Sequence, residues 1–181
     1  MQVESQWVRR WVLAGMAACA VALWPLACSH DGSSRAADPA AEPARLDFTL
    51  KDLAGKDVRL SDYKGRPMIV NFWATWCLPC KAEIPGFVQL VDKYKDEQFT
   101  VLGVSTSDSP EDLQRFVAAN RINYPILVGL GHDDLLEAYD AVDAVPVSWF
   151  IRRDGTVYMK KVGTDTQDWF DSQVKALFAL P

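Results

Sequence analysis

Two cysteines with two residues between them, Cys77-Leu78-Pro79-Cys80, follow the apolar run Met68-Ile69-Val70-Asn71-Phe72-Trp73 and precede a segment of helix-forming residues that begins at Lys81-Ala82-Glu83. A dithiol at the junction of a strand and a helix is a reactive arrangement. The first N–H groups of a helix have no partner inside it, and the helix dipole is positive there. That field favours thiolate over thiol at Cys77. A helical first turn also brings the second sulfur within bonding reach of the first, so the pair can open and close a small disulfide ring. The chemistry implied is thiol–disulfide exchange. A static disulfide or half of a zinc site is the bland alternative, but zinc takes four ligands and no second cysteine pair accompanies this one.

The elements that position the dithiol can be read along the chain. Leu46–Leu50 and Val58–Leu60 are short strand-like runs joined through Asp52-Leu53-Ala54-Gly55-Lys56, a good hairpin connection. Met68–Trp73 is a strand, and the helix after Cys77 extends to Tyr94, with Pro85 either kinking or splitting it. Phe99–Ser105 is a near-continuous apolar run, as expected of a central strand buried on both faces. Ser109 caps a helix that has Pro110 at its first position and runs to Asn120. Tyr124–Val128 forms a short strand, Asp133–Tyr139 a short helix, and Ser148–Ile151 and Val157–Val162 two further strands. Thr166–Leu180 closes the chain as an amphipathic helix, with Trp169, Phe170, Val174, Leu177 and Phe178 on one face. Strand, helix and strand in alternation around a buried middle strand predict a parallel α/β core.

Of the 4 cysteines, the other two stand in the first thirty residues. Arg9-Arg10 and then an uncharged run from Trp11 to Cys28, ending in small residues, make the pattern of a secretory signal. The run is short for a membrane span, with Pro25 near its end. Leu26-Ala27-Cys28 resembles a lipobox, in which the cysteine is acylated, although Pro25 stands where that motif prefers an aliphatic residue. An uncleaved anchor and simple secretion are the alternatives. The expected organisation is a signal over 1–27, a flexible Ala-, Pro- and Ser-rich tether over 28–45, and one folded domain over 46–181. In each case the folded part lies outside the cytoplasm, where a dithiol stays reduced only if a partner keeps it so. A formal net charge of −5 leaves no basic field to attract nucleic acid.

Phe72-Trp73-Ala74 followed by Trp76-Cys77-Leu78-Pro79-Cys80-Lys81 resembles the active-site signature of the thioredoxin superfamily. Glu83-Ile84-Pro85, three residues on, is similar to the TlpA/ResA-like branch, whose members are extracytoplasmic, membrane-tethered reductases. The segment FTLKDLAGKDVRLSDYKGRP resembles the same branch, and AVPVSWFIRRDGTV resembles the cis-proline region of the thioredoxin superfamily. The resemblance implies an α/β thioredoxin-like fold, a central mixed sheet flanked by helices with an added N-terminal β-hairpin. It implies a cis Val145–Pro146 bond beside the dithiol, with the Val145 backbone free to pair with an extended substrate and Trp76 forming part of an apolar rim. Cys77 is then the nucleophile and Cys80 the resolving thiol of a redox-active disulfide, and Cys28 the lipid anchor. Cytoplasmic thioredoxins carry a buried aspartate where this chain has Asn71; an amide cannot shuttle a proton, so that task is expected to fall to Glu83, which without the resemblance reads as a solvated surface residue.

The function implied is periplasmic reduction of protein disulfides, in cytochrome c maturation or copper-oxidase assembly, with an integral-membrane electron donor restoring the dithiol and no cofactor or metal required. Two alternatives differ in single residues. A thiol peroxidase of this fold expects threonine or serine three residues before its reactive cysteine, where Ala74 stands and Thr75 is one place too close. Copper(I)-binding relatives place three residues between their cysteines, and this chain places two.

Overall fold

The computed structural model describes residues 42–179. The signal segment, Cys28 and the tether as far as residue 41 lie outside the described residues. Backbone pairing begins within the last part of the expected tether, ahead of Leu46. The Ala44 N–H donates to the Gly155 carbonyl at 2.9 Å, the Val157 N–H to the Glu42 carbonyl at 2.8 Å, and Pro43 bridges Thr156. These residues satisfy backbone groups at a sheet edge that would otherwise stay open.

Among the described residues seven strands form one mixed sheet, flanked by four helices. At its centre lies β3 (Met68–Trp73), buried along its whole length and paired parallel with β4 (Thr100–Ser105), which is equally buried. Runs apolar on both faces are what helices covering both faces demand. β4 pairs parallel with β5 (Ile126–Val128). On the other side of β3 runs the antiparallel β6 (Val147–Ile151), with β7 (Val157–Val162) antiparallel beyond it. The hairpin of β1 (Thr49–Asp52) and β2 (Asp57–Arg59) joins through an antiparallel β1–β5 pair, so the order is β2-β1-β5-β4-β3-β6-β7. The hairpin strands are shifted from the sequence expectation: Leu46–Phe48 is not strand, and Leu60 opens a 3-10 turn, Leu60–Tyr63.

The period of two along β3 divides the core. Ile69 and Trp73 pack with Ile84, Phe87 and Leu90 of α1 (Leu78–Lys93), Leu113 of α2 (Pro110–Asn120) and Phe170, Val174 and Leu177 of α4 (Gln167–Ala179). Met68, Val70 and Phe72 pack on the opposite face with Leu135, Leu136 and Tyr139, in and just after α3 (Asp133–Ala138). Asn71 therefore faces α1 from the middle of an apolar strand. Helix α1 runs unbroken through Pro85. An interior proline costs about 3 kcal/mol, offset here because Pro85 is on the exposed side while Ile84, Phe87 and Leu90 are buried. The Phe87 ring meets Phe170 edge-on at 5.0 Å, tying α1 to α4.

Candidate active site

Cys77 is the N-cap residue of α1, and its Sγ accepts a hydrogen bond from the Cys80 N–H at 3.2 Å. The sulfur thus stands where first-turn N–H groups and the positive end of the helix stabilise negative charge. Cys77 and Cys80 are joined as a disulfide, with Cα atoms 5.3 Å apart. Cys80 is completely enclosed, whereas Trp76 and Leu78 on either side of Cys77 are 65% and 75% exposed. Trp76 is therefore at the surface, as a rim residue must be, and Trp73 is core, its ring against Phe116.

The sheet brings distant loops to the dithiol. Phe72 of β3 pairs with Val147 of β6, so the residues just before β6 come to lie beside the end of β3. The Val145–Pro146 bond is cis, and the Val145 carbonyl oxygen is 3.7 Å from Cys77 Sγ. From the other side, the loop after β4 grips the loop before Cys77. Asp108, buried, accepts from the Thr75 N–H (2.8 Å), the Thr75 hydroxyl (2.5 Å) and the Ser105 hydroxyl (2.7 Å). The indole N–H of Trp76 donates to Ser107 Oγ at 3.0 Å. Replacing Asp108 with alanine strands three donors in a buried place and is expected to lower stability by about 2–3 kcal/mol, read as a drop in the urea midpoint of the oxidised protein.

Glu83 is buried, in contrast to the solvated position its residue type suggests. It lies on the same inward face of α1 as Cys80, three residues on. Its Oε1 accepts from Asn71 Nδ2 at 2.9 Å, and its Oε2 is buried without a hydrogen-bond partner. Burial pushes the carboxyl up to about 7, opposed by the Asn71 amide and by the nearby Thr164 hydroxyl, which stands outside hydrogen-bonding geometry. A carboxyl that titrates near neutrality one helical turn from a buried cysteine can take up and return the proton of its reduced form. The network was hidden in the sequence, but it left a signal: Asn71 within Met68–Trp73 and Ser148 within Val147–Ile151 are polar residues in fully apolar strands, which require partners.

A two-residue-spaced disulfide at a helix N-terminus, set beside a cis-proline loop on this sheet, defines a thioredoxin-fold thiol–disulfide oxidoreductase. Comparison with known proteins agrees. Residues 41–160 match the AhpC/TSA family. The thiol-disulfide oxidoreductase ResA of Geobacillus kaustophilus is 32% identical over 131 residues, covering 72% of this chain and 74% of that one. A thioredoxin-family thiol:disulfide interchange protein from Chlorobium tepidum superposes with a TM-score of 0.69 at 29% identity, over 78% of this chain and 99% of that one. The exposed lipoprotein thioredoxin of Streptococcus pneumoniae gives 0.61 at 30% identity, over 72% and 98%. The chain belongs to the AhpC/TSA family and, within it, is a ResA-like thiol–disulfide oxidoreductase working through a Cys-X-X-Cys dithiol.

Proposed function

We propose that this protein reduces disulfides of other proteins in the periplasm while tethered to the membrane. Cys77 attacks the substrate disulfide and forms a mixed disulfide. Cys80 gives its proton to Glu83 and attacks Cys77 Sγ; the substrate leaves as a thiol and the Cys77–Cys80 disulfide closes. Two electrons pass to the substrate, and an integral-membrane dithiol donor returns them. An extended polypeptide pairs with the Val145 backbone beside Pro146 and rests on Trp76. Cys28 carries the lipid anchor, a role supported by the Leu26-Ala27-Cys28 motif and by the lipoprotein among the similar structures. The substrates are apocytochrome c cysteines or the copper-site cysteines of an oxidase assembly factor.

The observation that carries this reading is the buried carboxyl of Glu83 on the Cys80 face of α1, because a reductase must deprotonate an enclosed resolving thiol. A thiol peroxidase would need a hydroxyl where Ala74 stands, and the hydroxyl of Thr75 is committed to Asp108. The test is the equilibrium reduction potential of the Cys77–Cys80 pair, titrated against a dithiothreitol or glutathione buffer. The value expected is near that of thioredoxin, about −270 mV. A value toward about −120 mV would make the protein a donor of disulfides and reverse the direction proposed.

A further inference from the structure

Asn71 sits at the crossing of three elements. Its partner in the β3–β4 register is Gly103 and in the β3–β6 register Ser148, and its side chain projects to the face that α1 covers. An asparagine amide nitrogen has two hydrogens. Both are committed here, one to Glu83 Oε1 at 2.9 Å and one to Ser148 Oγ at 3.0 Å. The amide plane is thereby pinned from opposite sides by a strand and a helix, and all three side chains are at least nine-tenths buried.

We infer that Asn71, oriented by Ser148, is the positioning residue for Glu83: it occupies Oε1 and leaves Oε2 as the atom that receives the Cys80 proton. The inference rests on the assignment of Glu83 as proton acceptor. A donor fixed on one oxygen holds the carboxyl rotamer, so the free oxygen has a single direction. It also favours the ionised form, the only form able to accept, against the burial that opposes it. Without that bond the carboxyl would ionise later and swing more freely. The titratable groups facing Glu83 are Cys80 on its own helix and Tyr124 from the segment before β5, whose hydroxyl is itself held protonated by burial and by Glu83. Asn71 from β3, Ser148 from β6 and Thr164 after β7 are neutral.

The step to measure is resolution alone. Reduced full-length protein carrying Cys19→Ser and Cys28→Ser, so that Cys77 and Cys80 are its two thiols, is mixed with a symmetrical aryl disulfide that releases one coloured thiolate when Cys77 attacks and a second when Cys80 resolves, and both rates are followed across pH. In the parent protein the second rate is expected to rise through pH about 7, where Glu83 ionises. In Asn71→Ala that midpoint moves up by about one pH unit, so the second release slows about fivefold at pH 7 and recovers in alkali, while the first stays within about twofold. Ser148→Ala moves the midpoint the same way by less, and Ser148→Thr, which keeps the hydroxyl, restores it. The Ser148 pair decides the matter if Asn71→Ala does not fold. If Glu83→Gln abolishes the pH step while the Asn71 and Ser148 variants leave its midpoint unmoved and merely unfold more readily, the two residues are structural and the inference is overturned. If Glu83→Gln keeps the parent profile, the proton-acceptor assignment itself falls, a different result.

Discussion

Reduced protein carrying Cys80→Ala is expected to release one equivalent of thiol from a disulfide substrate and then stop, with the other half of the substrate bound covalently to Cys77. Cys80 is fully enclosed, whereas Cys77, though only 4% exposed, caps the helix between two exposed apolar residues, so an external disulfide meets the first sulfur and not the second. The first attack needs nothing from Cys80 beyond its backbone N–H, which the alanine variant keeps. Closure of the ring does need the second thiol, because no other cysteine stands in the folded domain. Turnover should therefore drop to background, and intact-mass measurement should show the adduct. Cys77→Ser, in contrast, should lose both the adduct and the turnover, since an alcohol is scarcely ionised near neutral pH. Steady turnover by the Cys80→Ala protein would contradict the assignment of the resolving thiol.

Glu83→Gln should separate chemistry from stability. Loss of a positioned proton acceptor typically costs about 10²–10⁴ in rate, and the loss should fall on resolution and spare the first attack. Folding should respond in the opposite sense. The carboxyl ionises at 4.5 when free and at about 7 in the folded protein, because burial disfavours its charge. Below pH 4.5 both states are protonated and no penalty exists. Between pH 4.5 and about 7 the unfolded chain ionises first, so stability falls as pH rises by about 1.4 kcal/mol per unit, reaching about 3 kcal/mol once the folded carboxyl has also ionised. Glutamine cannot ionise. Urea denaturation at pH 4.5 and pH 8 should therefore show the variant gaining on the parent by about 3 kcal/mol between the two. Parallel pH dependences would mean that the buried carboxyl is not strained by its charge.

Much of the architecture is carried by short-range pattern. The all-apolar β3 run, the cap-and-proline start of α2 at Ser109-Pro110 and the two-residue cysteine spacing each have a local physical cause: strand burial on both faces, an N-cap side chain with its N1 proline, and the geometry of one helical turn. Hairpin boundaries were less legible, since Leu46 and Leu60 are apolar because they fill the core under the sheet and not because they are strand residues.

The sequence by itself determined that a reactive dithiol would stand at a strand-to-helix junction, because both the strand and the helix start are written in neighbouring residues. Only the tertiary structure decided what surrounds it. Asp108 reaches Thr75 across 33 positions, Val145 reaches Cys77 across 68, and Ser148 reaches Asn71 across 77. Those meetings follow from the order and register of β4, β3 and β6, and strand register is chosen by which faces the whole core can bury together. The burial that moves Glu83 toward neutrality has the same origin, for it comes from β3, β6 and the segments before β5 and after β7 closing over one side of α1.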